Sequence, residues 1–267
     1  MCRHLAYLGP PVTLRSVIID PPCGLYRQAW APRYLRPGAV NADGFGVGWY
    51  PDGSDGDPEP SRYRQAVPIW ADQSFFDLAR VSSTGALLAT VRNATPGTSQ
   101  GPAAVGPFRF ERWLFSHNGV LDGWPESVDG VAATLPPVSL LELEARVDSA
   151  LAWALVLHRL RAGLAPAEAL ADTILALNAA GVTGKFNFLL TDGRVIAATA
   201  AGHTLYYRQA GGGVTVASEP ADDDPGWIAV PGGSVVSAVP RRVSVMPLPA
   251  APDLHVPPTP EGRIAIR

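Results

Sequence analysis

The chain has 267 residues, 47% of them hydrophobic, and a formal net charge of −3 at neutral pH. This composition allows a sizeable core, and without a lysine- or arginine-rich run it argues against nucleic acid or an anionic membrane surface as a partner. No apolar run reaches the roughly 20 residues of a membrane span, no signal peptide is evident, and two cysteines do not make a disulfide framework. We therefore expect a soluble, cytoplasmic protein.

Local patterns in the first half of the chain predict more strands than helices. Strands are predicted over residues 3–8, 62–67, 86–91 and 113–116, and helices over 14–19 and 73–81. Residues 41–50 begin as a glycine-rich stretch and lead into another strand. The segment 51–61 is rich in Pro, Gly and Asp and is expected to be an exposed loop.

The second half begins with a helical pair and then becomes strand-rich. Helices are predicted over residues 149–161, with Asp148 as a candidate N-cap, and 166–180. Strands are predicted over 186–191, 194–199, 204–208, 214–218 and 234–238. Because strands and helices do not alternate regularly, a doubly wound parallel sheet is disfavoured. We predict one α+β domain over residues 2–245 and a proline-rich tail over 246–267.

Cys2 is the first candidate for chemistry. If the initiator methionine is removed, Cys2 becomes the N-terminal residue and carries both a thiol and a free α-amine. A model α-amine has a pKa of about 7.7–8.0, so it can take a proton from the thiol at physiological pH. One residue would then supply nucleophile and base. The alternative is a chain that begins Met-Cys by chance.

Two further segments contain candidate substrate-binding residues. Arg92 lies where a predicted buried strand enters a glycine-containing loop, and an arginine there can hold a carboxylate through two parallel hydrogen bonds. Asp148, before a predicted helix, can hold an ammonium group. The alternatives are a surface arginine at a strand end and an ordinary helix cap.

Asn118 and Gly119 follow another predicted strand. The Asn amide and the Gly backbone N–H can both point at one oxygen, as the oxyanion of an acyl-transfer reaction requires. The alternative is an Asn-Gly hairpin turn. The histidines and the cluster at residues 222–224 lack metal-ligand spacing, and no dinucleotide or phosphate loop is present, so we expect neither metal nor cofactor.

Taken in order, these segments resemble the glutaminase domain of class II glutamine amidotransferases, within the N-terminal-nucleophile hydrolases. The resemblance runs from residue 2 to about residue 240. It implies a four-layer αββα sandwich. It also implies that Cys2 is the nucleophile, that Asn118 and Gly119 form the oxyanion hole, and that Arg92 and Asp148 bind the α-carboxylate and α-ammonium of the substrate. Thr95 would help to hold the same head group.

A narrower resemblance involves four segments: 41–49, 116–119, 144–150 and 217–225. They are similar to the amidohydrolases of ergothioneine biosynthesis, which hydrolyse the γ-glutamyl amide of γ-glutamyl-hercynylcysteine S-oxide. The chain departs from the wider family at Val91, where a histidine is common, and at Asn93 and Pro96, where tryptophan and histidine are frequent. These departures concern closure of the loop over the substrate.

Three hypotheses follow. The first is a γ-glutamyl amide hydrolase that forms a thioester on Cys2 and acts on a small molecule, with Trp30, Trp49 and residues 93–108 as candidate contacts of the leaving group. The second is a glutaminase subunit that supplies ammonia to a separate synthase. The third is a binding protein with a degenerate site. The sequence does not indicate the oligomeric state, and it is compatible with a homo-oligomer.

Overall fold

A computed structural model describes residues 2–34, 40–51, 59–95 and 97–249. The strands of this part of the chain are β1 (Arg3–Thr13), β2 (Phe45–Trp49), β3 (Ser61–Gln65), β4 (Ser83–Val91), β5 (Phe108–Phe110), β6 (Trp113–Leu121), β7 (Gly184–Thr191), β8 (Ile196–Ala200), β9 (Tyr206–Ala210), β10 (Gly213–Ala217), β11 (Ile228–Ala229), β12 (Ser234–Val239) and β13 (Arg242–Pro247). Its α-helices are α1 (Leu14–Ile18), α2 (Leu25–Gln28), α3 (Gln73–Val81), α4 (Asp129–Ala132), α5 (Pro137–Leu141), α6 (Asp148–Arg161) and α7 (Pro166–Ala179).

Two antiparallel sheets form the centre of the molecule. The order of strands is β11-β9-β10-β1-β4-β2-β3 in sheet A and β13-β12-β8-β7-β6-β5 in sheet B. The first strand, β1, lies inside sheet A between β10 and β4, so the start of the chain is held by residues 83–91 on one side and 214–217 on the other. This pairing places residue 2 at the end of a central strand.

Three apolar clusters separate four layers. Ala6 and Leu88 of sheet A pack against Leu189 and Val236 of sheet B. A second cluster joins sheet B to α6 and α7, and a third joins sheet A to α1, α2 and α3. Burial of these faces is the main favourable contribution to folding. The arrangement is a four-layer αββα sandwich, which confirms the predicted fold class.

Most of the predicted helices and strands are present, but several begin or end at residues other than those predicted. Helix α3 matches the prediction at both ends, and at its start the Asp72 side chain accepts a hydrogen bond from the Phe75 backbone N–H at 3.2 Å and so caps it. Strand β6 was predicted to end at residue 116 and continues to Leu121, and β1 continues to Thr13. Strands β5, β11 and β13 were not predicted. Residues 52–58 of the predicted loop lie outside the described residues.

The C-terminal boundary stays a prediction. Strand β13 ends at Pro247, inside the predicted tail, and residues 250–267 lie outside the described part of the chain. Within the described ranges, no helix has the length and apolar character needed to cross a membrane.

Candidate active site

The candidate site lies at the end of the sandwich where β1 begins. Arg3 pairs with Val91 across sheet A, so Cys2 lies beside Arg92, the residue that follows β4. A small pocket opens here between the sheets and the start of α6. Its walls include Cys2, Arg92, Phe108, Ser116, His117 and Ser149. Segments that are distant in sequence therefore meet at one place.

Cys2 is held by its neighbours on both sides. Its Sγ donates to the backbone carbonyl of Asn93 at 3.7 Å, and the next residue, Arg3, forms a buried ion pair with Glu219 at 2.8 Å. Burial raises the pKa of the Cys2 thiol, with Asp148 acting in the same direction and Arg92 in the opposite one. The thiol form therefore dominates at neutral pH, and nucleophilic attack requires a base.

Arg92 is a buried residue, and the surface-arginine alternative is wrong. Its Nη2 donates to Thr98 Oγ1 at 3.2 Å and to the Ser99 carbonyl at 3.0 Å. Its Nη1 is also buried but has no hydrogen-bond partner among the described residues. An unpaired guanidinium N–H in a buried position is costly, and a ligand carboxylate would satisfy it.

The glycine-rich segment before β2 supports the Arg92 loop. The Arg92 N–H donates to the Gly44 carbonyl at 2.8 Å, and the Asp43 N–H donates to the Arg92 carbonyl at 3.0 Å. The Asp43 carboxylate accepts from the Ala94 N–H at 2.7 Å. Thr95 lies in the following turn, where its carbonyl accepts from Thr98 Oγ1 at 2.6 Å.

Asn118 and Gly119 lie within β6, so the hairpin-turn alternative is wrong. They pair with Asn187 and Phe186 of β7. The Asn118 amide donates to Ser218 Oγ at 3.2 Å, and the same hydroxyl accepts from the His4 N–H at 3.0 Å. An amide group has two N–H donors, so one remains for a ligand oxygen.

Position 119 requires glycine. A Cβ there would collide with the backbone carbonyl oxygen of Lys185 and with His117 Nε2. We expect Gly119→Ala to lower the free energy of unfolding by about 3 kcal/mol, because a strand backbone cannot move away cheaply. Gly130→Ala is the matched control, since nothing lies within 4 Å of its added Cβ. Urea unfolding measures both variants, and equal stabilities would contradict the prediction.

Asp148 joins α6 to β6. Its Oδ1 accepts from the Ser149 N–H at 2.7 Å and its Oδ2 accepts from the Leu121 N–H at 3.1 Å. The predicted N-cap role is wrong, because the helix already includes Asp148 and the capping position is Val147. The carboxylate is buried, and it is close enough to the Cys2 thiol to shift its pKa. Arg92 and Asp148 thus both act on the space beside Cys2.

His117 and Ser149, which the sequence did not single out as site residues, complete this wall. His117 Nε2 lies 2.8 Å from the Lys185 carbonyl, and Nδ1 lies 3.1 Å from Ser149 Oγ. A carbonyl oxygen only accepts, so Nε2 carries the proton. Burial lowers the pKa of His117. A neutral ring then accepts the Ser149 proton at Nδ1.

His203 lies at the same end of the sandwich, and its burial predicts that the free energy of unfolding depends on pH. Burial lowers its pKa from 6.5 to about 3, and the charges of Lys185 and Arg3 act in the same direction. Between these values the unfolded chain binds a proton that the native state does not, so stability falls as the pH falls. We expect His203→Gln to reduce this slope by up to about 1.4 kcal/mol per pH unit. Urea titrations from about pH 6.5 to 4.5 test it, and identical slopes would contradict it.

Two of the candidate leaving-group contacts lie elsewhere. Trp30 packs edge-on against Trp70, with ring centroids 5.6 Å apart, and Trp49 belongs to the same apolar cluster on the outer face of sheet A. Because side chains alternate along β2, Trp49 shares the outer face with Val47, so the prediction for these two residues is wrong. The predicted loop does contribute Phe108 to the pocket. Both cysteines are free thiols.

Comparison with known proteins defines the class. Residues 28–212 match the class II glutamine amidotransferases, and the chain belongs to this family. The solved structure of a glutamine aminotransferase class-II domain protein from Silicibacter pomeroyi has a similar fold. It gives a TM-score of 0.67 at 25% identity, and the match covers 93% of this chain and 100% of that one.

Two curated relatives are more similar in sequence. The chain is 38% identical over 248 residues to the gamma-glutamyl-hercynylcysteine sulfoxide hydrolase of Mycolicibacterium smegmatis, covering 93% of this chain and all of the relative. It is 39% identical over 251 residues to the protein of the same name from Mycobacterium tuberculosis, covering 94% of this chain and 98% of the relative.

Proposed function

We propose that the protein is a γ-glutamyl amide hydrolase that uses Cys2 as its nucleophile. We further propose that it acts in ergothioneine biosynthesis, where it releases glutamate from γ-glutamyl-hercynylcysteine S-oxide, the compound in the names of the mycobacterial relatives. The observation that carries the proposal is the buried, unpartnered Nη1 of Arg92 in the pocket beside Cys2, together with the buried Asp148 carboxylate, whose charge acts on the Cys2 thiol. A free amino-acid head group has the complementary charges.

In the first half of the proposed reaction, the α-amine of Cys2 accepts the thiol proton while Sγ attacks the γ-carbonyl carbon. The carbonyl electron pair moves onto oxygen, where an N–H of the Asn118 amide and the Gly119 backbone N–H stabilise the negative charge. The protonated amine then donates its proton to the departing nitrogen, the C–N bond breaks, and a γ-glutamyl thioester remains on Cys2.

In the second half, a water molecule attacks the thioester carbonyl and gives its proton to the same amine. The oxyanion collapses, the C–S bond breaks, and the thiolate takes the proton back, which releases glutamate. Arg92 and Asp148, with Thr95 from the adjacent loop, hold the head group throughout. The raised pKa of the buried thiol is the reason why a neighbouring base is needed.

A substrate panel tests the proposal. Glutamate release is measured from glutamine, glutathione and the hercynylcysteine S-oxide conjugate, together with the intact mass of the purified protein. We expect the conjugate to have the highest kcat/KM and the mass to lack methionine. A preference for glutamine that increases with a synthase partner would instead identify an ammonia-supplying glutaminase. Substrate binding without glutamate release would identify a binding protein.

A further inference from the structure

The loop between β4 and β5 forms one wall of the pocket beside Cys2. The residues of this wall that line the pocket are Ala104, Gly106 and Phe108. The same loop holds the guanidinium group of Arg92, because Nη2 donates to Thr98 Oγ1 and to the Ser99 carbonyl. An arginine side chain has many rotamers, so these contacts decide where its guanidinium lies. The placement of residues 98–107 therefore controls the pocket wall and the carboxylate-binding group together.

Two arginines of β3 hold this loop by its backbone. Arg64 Nη1 donates to the Val105 carbonyl at 3.0 Å, and Arg62 Nη1 donates to the Pro107 carbonyl at 3.3 Å. Both side chains lie on the face of sheet A that they share with Gly46, the partner of Arg64 on β2. A Cβ at Gly46 would collide with a carbonyl oxygen of the loop. The glycine-rich segment therefore leaves the room in which the arginines hold the loop.

A single carboxylate bridges the two arginines. Glu144 Oε1 accepts from Arg62 Nη1 at 2.9 Å, and Glu144 Oε2 accepts from Arg64 Nη2 at 2.8 Å. The three side chains are between 12% and 26% exposed, so water screens their charges only in part. Burial alone would raise the pKa of Glu144, but the hydrogen bonds and charges of the arginines hold it below its usual value. Glu144 is therefore ionised at neutral pH.

The two arginines repel each other where this carboxylate does not neutralise them. Burial lowers the pKa of Arg64, and the charge of Arg62 acts in the same direction, as expected for neighbouring like charges. Removing the negative partner of partly buried cations is costly, so without it we expect the guanidinium groups to turn toward water. Each of them would then release the loop carbonyl that it holds.

The residues that follow Glu144 reach the same site. The Arg146 carbonyl accepts from the Ser99 N–H at 3.2 Å, and the Ser99 carbonyl accepts from Arg92. Asp148, the proposed partner of the substrate ammonium, comes two residues later. This short segment before α6 therefore connects both charged contacts of the head group to the loop.

We propose that Glu144 is a positioning residue of the reaction: through the two arginines of β3 it fixes the Arg92 guanidinium for the substrate α-carboxylate. This inference rests on the proposed function. Because Glu144 acts through a contact to the α-carboxylate, a substrate that lacks this group should be nearly indifferent to its replacement. A residue that only stabilised the fold would affect both substrates equally.

A matched pair of substrates tests this role: the γ-glutamyl conjugate of hercynylcysteine S-oxide and the γ-aminobutyryl conjugate of the same amine, which lacks only the α-carboxylate. Release of the common amine under single-turnover conditions gives kcat/KM for each, and the measurement is the ratio of the first to the second. Glu144→Gln, which removes the charge and keeps the shape, should lower this ratio roughly 3- to 30-fold, as expected for partial loss of charge-assisted hydrogen bonds.

Two further variants show whether Glu144 acts through Arg92. Arg92→Met should lower the ratio more than Glu144→Gln does, and adding Glu144→Gln to Arg92→Met should not lower it again. Asp172→Asn is the matched control, because it breaks an ion pair with Arg159 that joins α7 to α6 at 2.6 Å. It should leave the ratio at the wild-type value.

The ratio is independent of the fraction of folded enzyme, so poor folding of a variant does not obscure the result. The same ratio in the wild type and in Glu144→Gln would overturn the positioning role, as would a full further fall in the double variant. Either result would leave the proposed function in place. Failure of the wild type to release the amine from the γ-glutamyl conjugate would overturn the proposed function and the positioning role with it.

Discussion

Replacement of Cys2 by alanine should abolish glutamate release. We expect the rate of hydrolysis to fall by at least about 10⁴-fold, because without Sγ no thioester can form and only the oxyanion donors and the head-group contacts remain. Substrate should still bind, since Arg92 and Asp148 are unchanged. Turnover is measured by glutamate release, and binding by calorimetry with the intact conjugate.

Cys23 provides the matched control for this experiment. It is the other free thiol of the chain, and its backbone N–H donates to the Ala221 carbonyl at 2.8 Å, away from the pocket. Cys23→Ala should therefore keep wild-type kinetics. A glutamine-like electrophile such as a diazo-ketone norleucine should label Cys2 and spare Cys23 in peptide mapping. Full turnover by Cys2→Ala, or by protein that retains its initiator methionine, would end the proposal.

Replacement of Asp148 by asparagine should lower kcat/KM roughly 10²–10³-fold, because the substrate ammonium loses its buried counter-charge. Most of the change should be in KM, because the head group stays bound in the same way from the ground state to the transition state. Asp129→Asn is the control. Asp129 also begins a helix, α4, but it is exposed and should tolerate the change.

A double-mutant cycle between enzyme and substrate sharpens this prediction. A glutaryl amide that lacks the α-ammonium should react with wild-type enzyme about as poorly as the full substrate reacts with Asp148→Asn. When the substrate ammonium and the Asp148 charge are both removed, the fall in kcat/KM should be much smaller than the product of the two separate falls. Fully multiplicative losses would show that Asp148 acts on stability or on another group, and not on the ammonium.

The fold class was predictable because strands and helices do not alternate in the sequence and because the ordered motifs resemble a known family. The helical spacing of apolar residues over 73–81 also predicted α3. The pairing of β1 with β10 was not predictable, because residues 5 and 217 meet only through the tertiary fold. Strands β5 and β13 lie at the edges of sheet B; β5 has only three residues, and β13 ends at Pro247 in the proline-containing stretch that was assigned to the tail.

The sequence predicted which types of residue form the site, but not which hydrogen bonds join them. Arg92 and Asp148 were chosen from their places at a strand end and a helix start, and both are buried beside Cys2. Ser218, which accepts hydrogen bonds from His4 and Asn118, has no local pattern of its own. Only its place in a segment similar to the ergothioneine amidohydrolases drew attention to it. Long-range hydrogen bonds of this kind leave no periodicity in the sequence.

The central position of β1 sets an order of events during synthesis. Strand β10 leaves the ribosome long after β1, so one edge of the first strand stays unpaired while most of the chain is made. The proposed mechanism requires a free α-amine on Cys2, and the nascent terminus is available for trimming during this interval. The Arg3–Glu219 ion pair, which fixes the residue next to Cys2, can form only after residue 219 has been made.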